Sequence, residues 1–385
     1  MKKYDVIIIG AGASGLSAAR SALARGRRVL VLDMGDKPAR KVFISGGGRC
    51  NFTNMAASRD RYFGQNPDFV RSCIATVKPA DILDWMRNHN LDWVEKAPGQ
   101  FFCKTGSQDV IDALTSDAAG ADIIFNTQIT NIEKIEDEFT VYAKNAVYFG
   151  TAVIIATGGT SYPTLGVSDF GFMIAKKFGH KIIPVEPGLV GLKLDIFPEE
   201  LSGISLDVKI TAGKKSVTDS LLFTHFGIGG PAAYRASMFD LTQNFHINFL
   251  PGINVYDWLT NAKQTEGRKS LATILSQKLP SKFAKWLGSN SDKNIADYKD
   301  SEITVVTKYI NDLTIPGGKL KRRGLQSAEV VVGGVSTDQV SSKTMESKLC
   351  PGLFFCGEVL DIAGDLGGFN LHFAWASGIV AGTYA

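Results

Sequence analysis

Three glycines near the N-terminus, Gly10, Gly12 and Gly15, follow the spacing G-x-G-x-x-G. In a turn between a strand and a helix, the first glycine makes the tight turn, the second lets a pyrophosphate approach the backbone, and the third lets the helix lie close to the strand. Asp33 follows about 20 residues later, where a carboxylate can accept hydrogen bonds from both hydroxyls of an adenosine ribose. These residues predict a dinucleotide-binding site, but they do not separate NAD from FAD.

A second glycine-rich stretch, KVFISGGGRCNFTN, occupies residues 41–54 and contains Gly46, Gly47 and Gly48 in a row. Adjacent glycine amides can point at one anion, and the missing side chains leave room for a planar ring. A flexible surface loop would not end in a run such as RCNF. These features agree with contact to an anion or a planar ring, a role that the family resemblance described below implies.

Apolar runs and helix signals predict the elements that must position these residues. Residues 6–9 form a β-branched run typical of a buried parallel strand, a small-residue helix follows the glycine turn, and VLVLD predicts a second strand that ends at Asp33. Later, AVIIATGG and GLFFCGEV predict further strands. A glycine pair then opens the final helix, whose free amides can face the N1 and O2 atoms of a flavin. These amides belong to Gly367, Gly368, Asn370 and Leu371. An NAD site does not need this last segment, so FAD is favoured.

The middle of the chain has the pattern of an insertion. Residues 188–255 contain alternating stretches typical of half-buried antiparallel strands, residues 256–309 have a helical pattern, and residues 310–335 return to strands. Residues 1–187 and 336–385 hold the dinucleotide-binding signals. We therefore predict an α/β fold in which a Rossmann-like domain is interrupted by a β-barrel-like domain with a helical cap.

Several segments together resemble a known family. GAGASG, ARKVFISGGGRCNFTN, ATGGTSYPTLG, LLFTHFGIGGPA and GEVLDIAGDLGGFNLHFAWASG are similar to bacterial FAD-binding oxidoreductases related to aminoacetone oxidase and to the bile-acid 3-dehydro reductases. The resemblance spans nearly the whole chain, and its last segment is also similar to the fumarate-reductase class. It implies an FAD-binding domain of the glutathione-reductase and fumarate-reductase type with non-covalent FAD. NAD(P)H remains possible as electron donor, although no second nucleotide fingerprint predicts a domain for it.

The resemblance also implies roles for individual residues. Arg40 and Lys41 would lie near the FAD phosphates and ribose, and Glu358 would accept hydrogen bonds from ribityl hydroxyls. The stretch from Ser45 to Asn51 would wrap the pyrophosphate and one edge of the flavin. The full set of expected cofactor-binding residues is Gly10, Gly12, Ala13, Ser14, Gly15, Asp33, Arg40, Lys41, Ser45, Gly46, Gly47, Gly48, Cys50, Asn51, Ile129, Ala156, Thr157, Gly158, Gly357, Glu358, Gly367, Gly368, Asn370 and Leu371.

The expected activity is hydride transfer between flavin N5 and a small or medium organic substrate. Amine oxidation and reduction of a conjugated ketone both stay open. The alternatives are a flavin-binding sensor or scaffold without turnover, and an RNA-modifying flavoenzyme, which should have a stronger basic face. His225 is the candidate catalytic residue because it lies between an apolar strand and a glycine turn. Tyr162 and His372 are weaker candidates.

Composition indicates a globular protein and narrows its partners. The 385 residues are 44% hydrophobic and 21% charged, with a net charge of +4. We interpret the cluster Lys319, Lys321, Arg322 and Arg323 as a solvated loop, so no nucleic-acid partner is expected. The five cysteines form no C-x-x-C pair, which favours a reducing, cytoplasmic setting without a metal site. The sequence contains no run of about 18 apolar residues, so no membrane span is predicted. The oligomeric state stays open.

Overall fold

A computed structural model describes residues 3–289 and 293–385 of the chain. The chain divides into two compact units. Unit 1 comprises Met1–Pro187 and Glu329–Ala385, and unit 2 comprises Gly188–Ala328.

The first stretch of unit 1 alternates strands and helices. Its elements are β1 (Lys3–Ile9), α1 (Ala13–Ala24), β2 (Val29–Leu32), α2 (Arg40–Gly48), β3 (Asn51–Asn54), β4 (Tyr62–Phe63), α3 (Val70–Thr76), α4 (Pro79–Asn88), β5 (Trp93–Ala97), β6 (Gln100–Cys103), α5 (Ser107–Asp117), β7 (Asp122–Ile124), β8 (Ile129–Ile135), β9 (Glu138–Ala143), β10 (Ala146–Ile155), α6 (Phe170–Lys177) and β11 (Ile182–Gly188).

Unit 2 has strands at both ends of its sequence and helices between them. Its elements are β12 (Leu192–Lys193), β13 (Ser205–Ala212), β14 (Lys215–Thr224), β15 (Gly227–Gly229), α7 (Gly230–Ala236), β16 (Phe245–Asn248), α8 (Val255–Thr265), α9 (Leu271–Leu275), α10 (Ser281–Gly288), α11 (Asp300–Asn311), β17 (Leu313–Ile315) and β18 (Lys321–Arg322). The chain then returns to unit 1 with β19 (Val330–Val335), β20 (Leu353–Phe355), β21 (Ala363–Gly364) and α12 (Phe369–Tyr384).

The main sheet of unit 1 has the strand order β7-β2-β1-β10-β9-β8, and β20 also pairs with β10. The strands β7, β2, β1, β10 and β20 are parallel, whereas β8, β9 and β10 form an antiparallel meander. Ile7 and Ile8 are fully buried, as expected for a strand covered on both faces. This arrangement confirms the predicted α/β fold with a Rossmann-like domain.

The return from unit 2 differs from our sequence interpretation, which placed residues 310–335 in the inserted domain and residues 336–385 in the FAD-binding domain. In the structure, residues 329–335 belong to unit 1. The physical reason is that β19 pairs with β11. A strand pattern read from the sequence does not reveal which partner the strand will have.

Unit 2 is built on a seven-stranded antiparallel sheet of order β17-β16-β13-β14-β15-β12-β18. Its core contains Phe223, Phe249 and Phe283, whose ring centroids lie 5.0 to 6.3 Å apart. Phe283 belongs to α10, so the helical part shares this core with the sheet. Within residues 3–289 and 293–385, no helix has the length and apolar character that a membrane span requires.

Candidate functional site

The glycine turn between β1 and α1 has the geometry of a phosphate-binding loop. Gly10 has a φ of 112°, and an added Cβ there would meet the carbonyl oxygen of Ala156 at the end of β10. An added Cβ at Gly15 would likewise meet the carbonyl of Gly10. At Gly12, by contrast, no heavy atom lies within 4 Å of an added Cβ. Gly10 and Gly15 therefore allow close packing of the backbone. Gly12 leaves open space in front of the first amides of α1, at Ala13 and Ser14, where an anion would be stabilised.

Asp33 lies at the carboxyl end of β2, directly beside this turn. Its Oδ2 accepts a hydrogen bond from the Ala11 amide and its Oδ1 accepts one from the Gly35 amide, both at 2.7 Å. The Nη2 atom of Arg40 lies 3.5 Å from Oδ1. These contacts hold the carboxylate at the sheet edge, where Oδ2 keeps a lone pair for a further donor.

A cavity of about 410 Å³ opens at this edge. Five of the expected cofactor-binding residues line it, namely Gly10, Asp33, Arg40, Ile129 and Thr157. Strand order in the sheet reverses here, because β2 lies on one side of β1 and β10 on the other. Ligands of open α/β sheets bind at such switch points. The cavity therefore fits the nucleoside end of a dinucleotide.

The glycine-rich stretch that includes α2 leaves the helical path before it ends. Ser45 has extended backbone angles, and Gly46, Gly47 and Gly48 have φ values of 58°, 66° and 79°. An added Cβ at Gly47 or Gly48 would meet nothing within 4 Å. The loop is closed by the Cys50 amide, which donates to the Ser45 carbonyl. The result is an open cradle of backbone without side chains, as a ring or phosphate requires.

The amino end of α12 meets this cradle. Gly367 and Gly368 have φ values of 115° and 95°, and α12 begins directly after them. An added Cβ at Gly368 would contact the carbonyl of Thr53 and the side chain of Asn51. The structure thus brings together two segments that lie more than 300 residues apart in the sequence.

Comparison with known proteins shows the family. The model of the family described as HI0933-like protein Rossmann domain matches residues 4–384. The chain belongs to the HI0933-like family. This assignment, together with the dinucleotide site above, makes the protein an FAD-dependent oxidoreductase and makes FAD its cofactor. Gly12, the open glycine cradle and Asp33 fit that cofactor.

Curated relatives of this HI0933-like chain match over nearly its full length. A ribosomal RNA dihydrouridine synthase of Escherichia coli (strain K12) is 36% identical, covering 98% of this chain and 96% of that protein. The Haemophilus influenzae protein of the same name is 39% identical, covering 98% and 97%. A 3-dehydro-bile acid delta(4,6)-reductase of Clostridium scindens is 26% identical, covering 98% of both chains. The resemblance to bile-acid reductases predicted from the motifs is confirmed.

One solved structure similar to the HI0933-like chain is a flavocytochrome c3 fumarate reductase, with a TM-score of 0.49 and 15% identity. The match covers 99% of this chain and 78% of that chain. Another is a 3-ketosteroid-delta4-(5alpha)-dehydrogenase from Rhodococcus jostii RHA1, with a TM-score of 0.48, 13% identity, and coverage of 100% and 96%.

Glu358 of the HI0933-like chain lies in a network of protein contacts. Its Oε2 accepts from Lys41 Nζ at 2.6 Å, and its Oε1 accepts from the Val331 amide at 2.9 Å. Lys41 Nζ also donates to Ser161 Oγ at 2.6 Å. The Gly159 amide lies 3.3 Å from Oε2. We expected Glu358 to accept from ribityl hydroxyls; the structure pairs it with Lys41, which was expected at the same cofactor.

Sequence reasoning missed Ser161 and Val331 in this network. Ser161 follows the glycine turn after β10, which also contains Gly158 with a φ of 71°, so its position behind a parallel strand was a usable signal. Val331 contributes only its backbone amide, and no side-chain pattern could have revealed that role.

The remaining expected cofactor residues are placed as follows. Gly357, with a φ of 75°, donates its amide to Ser377 of α12. The side chain of Asn370 exchanges hydrogen bonds with the backbone of Gly364, so its amide group stabilises the turn before α12. Leu371 follows in the first turn of α12. Burial raises the pKa of the Cys50 thiol to about 12, so this cysteine stays protonated near neutral pH.

The candidate histidines have different surroundings. His372 is fully buried in α12, and its Nδ1 shares a hydrogen bond of 2.9 Å with Thr53 Oγ1. Burial lowers its pKa to about 4, so it is neutral and joins α12 to β3. His225 is exposed in the turn between β14 and β15 of unit 2, with its ring 5.1 Å from that of Phe226. Tyr162, with a φ of 54°, lies in the turn after Ser161. A catalytic role for His225 stays a prediction.

Proposed function

We propose that this protein reduces the C5–C6 double bond of uracil in ribosomal RNA, which yields dihydrouridine. The observation that carries the proposal is the similarity of 36% and 39% over 98% of the chain to two relatives named ribosomal RNA dihydrouridine synthase. The similarity covers unit 2 as well as the FAD-binding unit. The proposal takes up the RNA-modifying alternative and departs from our expectation of a small-molecule substrate and no nucleic-acid partner.

The chemistry is consistent with that of the more distant relative. The uracil double bond is conjugated to the C4 carbonyl, and a 3-dehydro bile acid with delta(4,6) double bonds contains a conjugated carbonyl as well. Reduction of the uracil double bond adds a hydride to C6, the carbon remote from the carbonyl, and a proton to C5, the carbon next to it. FAD, when bound, would supply the hydride-transfer chemistry, with a reduced nicotinamide as the source of the two electrons. The proton comes from a side chain or from water.

The described residues of unit 1 would hold the cofactor for this reaction. The amides at the start of α1, behind Gly12, would bind the pyrophosphate, and Asp33 would accept from the adenosine ribose. Gly47 and Gly48 would leave space for the middle of the cofactor. The amino end of α12 would direct partial positive charge at the flavin pyrimidine ring, where negative charge accumulates on reduction.

The test measures the product in RNA directly. Holoprotein would be mixed anaerobically with NADH or NADPH and with ribosomal RNA from cells that lack this protein. We expect dihydrouridine in a nucleoside digest by mass spectrometry, and only when protein, nicotinamide and RNA are all present. An Asp33→Ala variant should form less product at limiting FAD and recover with excess FAD, because it loses about ten-fold or more in FAD affinity.

A small conjugated ketone is the second candidate substrate, favoured by the 26% identity to the bile-acid reductase over 98% of both chains. The same reduced holoprotein would be mixed with a steroid enone. Reoxidation of the flavin by the enone, with no dihydrouridine formed in RNA, would contradict the first proposal and support this one. Lack of reoxidation by either acceptor would favour the flavin-binding sensor or scaffold.

A further inference from the structure

The positive charge of the chain is concentrated in unit 2. Residues 188–328 contain 18 Lys and Arg against 13 Asp and Glu. The rest of the chain contains 24 against 25. The net charge of +4 for the whole chain therefore arises entirely from the inserted unit.

Within unit 2 the excess is densest around α9 and α10. Residues 263–285 contain one acidic residue, Glu266, and six basic residues. Glu266 is already paired, because Lys269 forms a salt bridge with it and Gln277 Nε2 donates to it at 2.9 Å. Lys263 pairs with Asp300 at 3.2 Å. The other basic residues, Arg268, Lys278, Lys282 and Lys285, are exposed and have no carboxylate partner within residues 3–289 and 293–385.

Three of these lysines and one aromatic ring form a patch, which we call the basic helical patch and define as Trp258, Lys278, Lys282 and Lys285. Lys282 and Lys285 lie three residues apart on the exposed face of α10, whereas Phe283 between them is buried. Lys278 precedes α10, and its Nζ lies 5.6 Å from the ring centroid of the half-buried Trp258 on α8. The patch therefore extends from α8 to α10.

In the other basic cluster of unit 2, both arginines are engaged within the protein. The guanidinium of Arg322 donates to the carbonyls of Ser237 and Phe239 at 2.8 and 3.1 Å. Arg323 lies over the ring of Phe226 at 4.2 Å. Lys319 and Lys321 of that cluster are exposed, whereas the basic helical patch combines three exposed lysines with an aromatic ring.

We infer that the basic helical patch binds the phosphate backbone of RNA, an inference that rests on the proposed function. Lysine ammonium groups contact phosphates without reading sequence and position the nucleic acid on the protein. An adjacent aromatic ring adds a surface for an unpaired base. The patch supplies both groups, with Trp258 on α8, Lys282 and Lys285 on α10, and Lys278 in the segment before α10.

The experiment compares two triple variants of the holoprotein. One is Lys278→Gln, Lys282→Gln and Lys285→Gln. The control, Lys144→Gln, Lys176→Gln and Lys181→Gln, removes three exposed lysines of unit 1. Binding to an in vitro transcript of ribosomal RNA would be measured between about 50 and 200 mM salt, because each phosphate contact adds close to one unit to the slope of log affinity against log salt. Flavin content and the rate of flavin reduction by NADPH would be measured in parallel.

We expect the patch variant to lose about three units of slope and about ten-fold or more in affinity. Its flavin content and reduction rate should be unchanged, and the control variant should behave as wild type. An unchanged slope in the patch variant would overturn the inference. Binding of the patch variant to phosphatidylglycerol vesicles would be measured as well. If the variant loses vesicle binding while its RNA slope is unchanged, the patch serves a membrane surface and the inference is overturned.

Dihydrouridine formation is scored separately from binding. Wild-type holoprotein that forms no dihydrouridine contradicts the proposed function, even when RNA binding depends on the three lysines. Patch variants that bind RNA as tightly as wild type contradict the inference, even when the wild-type protein forms dihydrouridine.

Discussion

At the residue scale, the contact between Lys41 and Glu358 links segments that the sequence separates widely. The two side chains are only 29% and 19% exposed and lie 2.6 Å apart. Ser161 and the Val331 amide complete the network. Because half-buried charge-assisted hydrogen bonds are stronger than exposed ones, this network should fix the Lys41 ammonium group with little freedom.

We predict that Lys41→Met and Glu358→Gln each lower FAD affinity about ten-fold, because each removes a charge-assisted contact of roughly 1.5 to 3 kcal/mol. The double variant should lose less than the product of the two effects, since both changes break one interaction. Titration of the apoprotein with FAD measures all three. Lys37→Met, at an exposed neighbouring lysine, is the control. Fully additive losses would show that the two residues act independently.

Buried histidines should make stability depend on pH. Burial lowers the pKa of His372 and of His180 to about 4, below the ordinary value of about 6.5. Between these values the unfolded chain binds protons that the folded chain does not, so the stabilisation is present above about pH 6.5 and is lost as the pH falls toward 4. The loss should amount to a few kcal/mol per histidine, at about 1.4 kcal/mol per pKa unit.

Urea unfolding at several pH values tests this prediction. Both His372→Asn and His180→Gln should flatten the decline of unfolding free energy between pH 6.5 and 4, each by about one proton. Two variants are used because a buried substitution can prevent folding. A decline as steep as wild type in both variants would contradict the assignment.

At the element scale, close contact between α1 and α12 positions the two ends of the chain. Added Cβ atoms at Gly378 and Gly382 would meet the backbone carbonyls of Ser14 and Ala18. Small residues therefore let α12 lie directly against α1. Since both helices begin at the candidate cofactor site, their spacing also sets the distance between two groups of free amides.

Gly378→Ala should accordingly destabilise the protein by about 1 to 3 kcal/mol, because the added methyl group forces the two backbones apart. FAD affinity should fall with it. Thr383→Ala, at an exposed position of α12, should change the unfolding free energy by less than about 0.5 kcal/mol. Thermal unfolding with and without FAD measures both effects. Equal stability of the two variants would show that the helices can separate without cost.

At the scale of the whole molecule, we propose that FAD binding and substrate specificity belong to different units. The residues that fit the cofactor belong to unit 1, whereas His225 and the basic helical patch belong to unit 2. Changes in unit 2 should therefore affect the reaction with substrate more than the content of FAD.

His225→Ala tests this division. We predict unchanged FAD content and slower reoxidation of the reduced flavin by its substrate, about 100-fold if the histidine transfers a proton. Anaerobic rapid mixing followed by flavin absorbance measures the rate. His246→Ala, at another half-exposed histidine of unit 2 that pairs with Asp312, is the matched control. Full activity of His225→Ala would assign that histidine no part in the reaction.

The amino-acid sequence by itself determined the features that depend on neighbouring residues. Gly10, Gly12 and Gly15 between an apolar run and a small-residue helix predicted the turn, and Asp33 predicted the end of the second strand, because φ preferences and apolar periodicity act over a few residues. The same local signals predicted the start of α12, whereas the role of the glycine-rich stretch was implied by the family resemblance.

Only the tertiary structure decided which distant segments meet. The contact of Lys41 with Glu358 spans 317 residues of sequence. Val331 joins this network through its backbone amide, and its side-chain type does not indicate that contact. The membership of residues 329–335 in unit 1 likewise depends on the pairing of β19 with β11. Side-chain type limits which contacts are possible, but the partner of a strand or a charge is selected by packing of the whole chain, which a single sequence does not display.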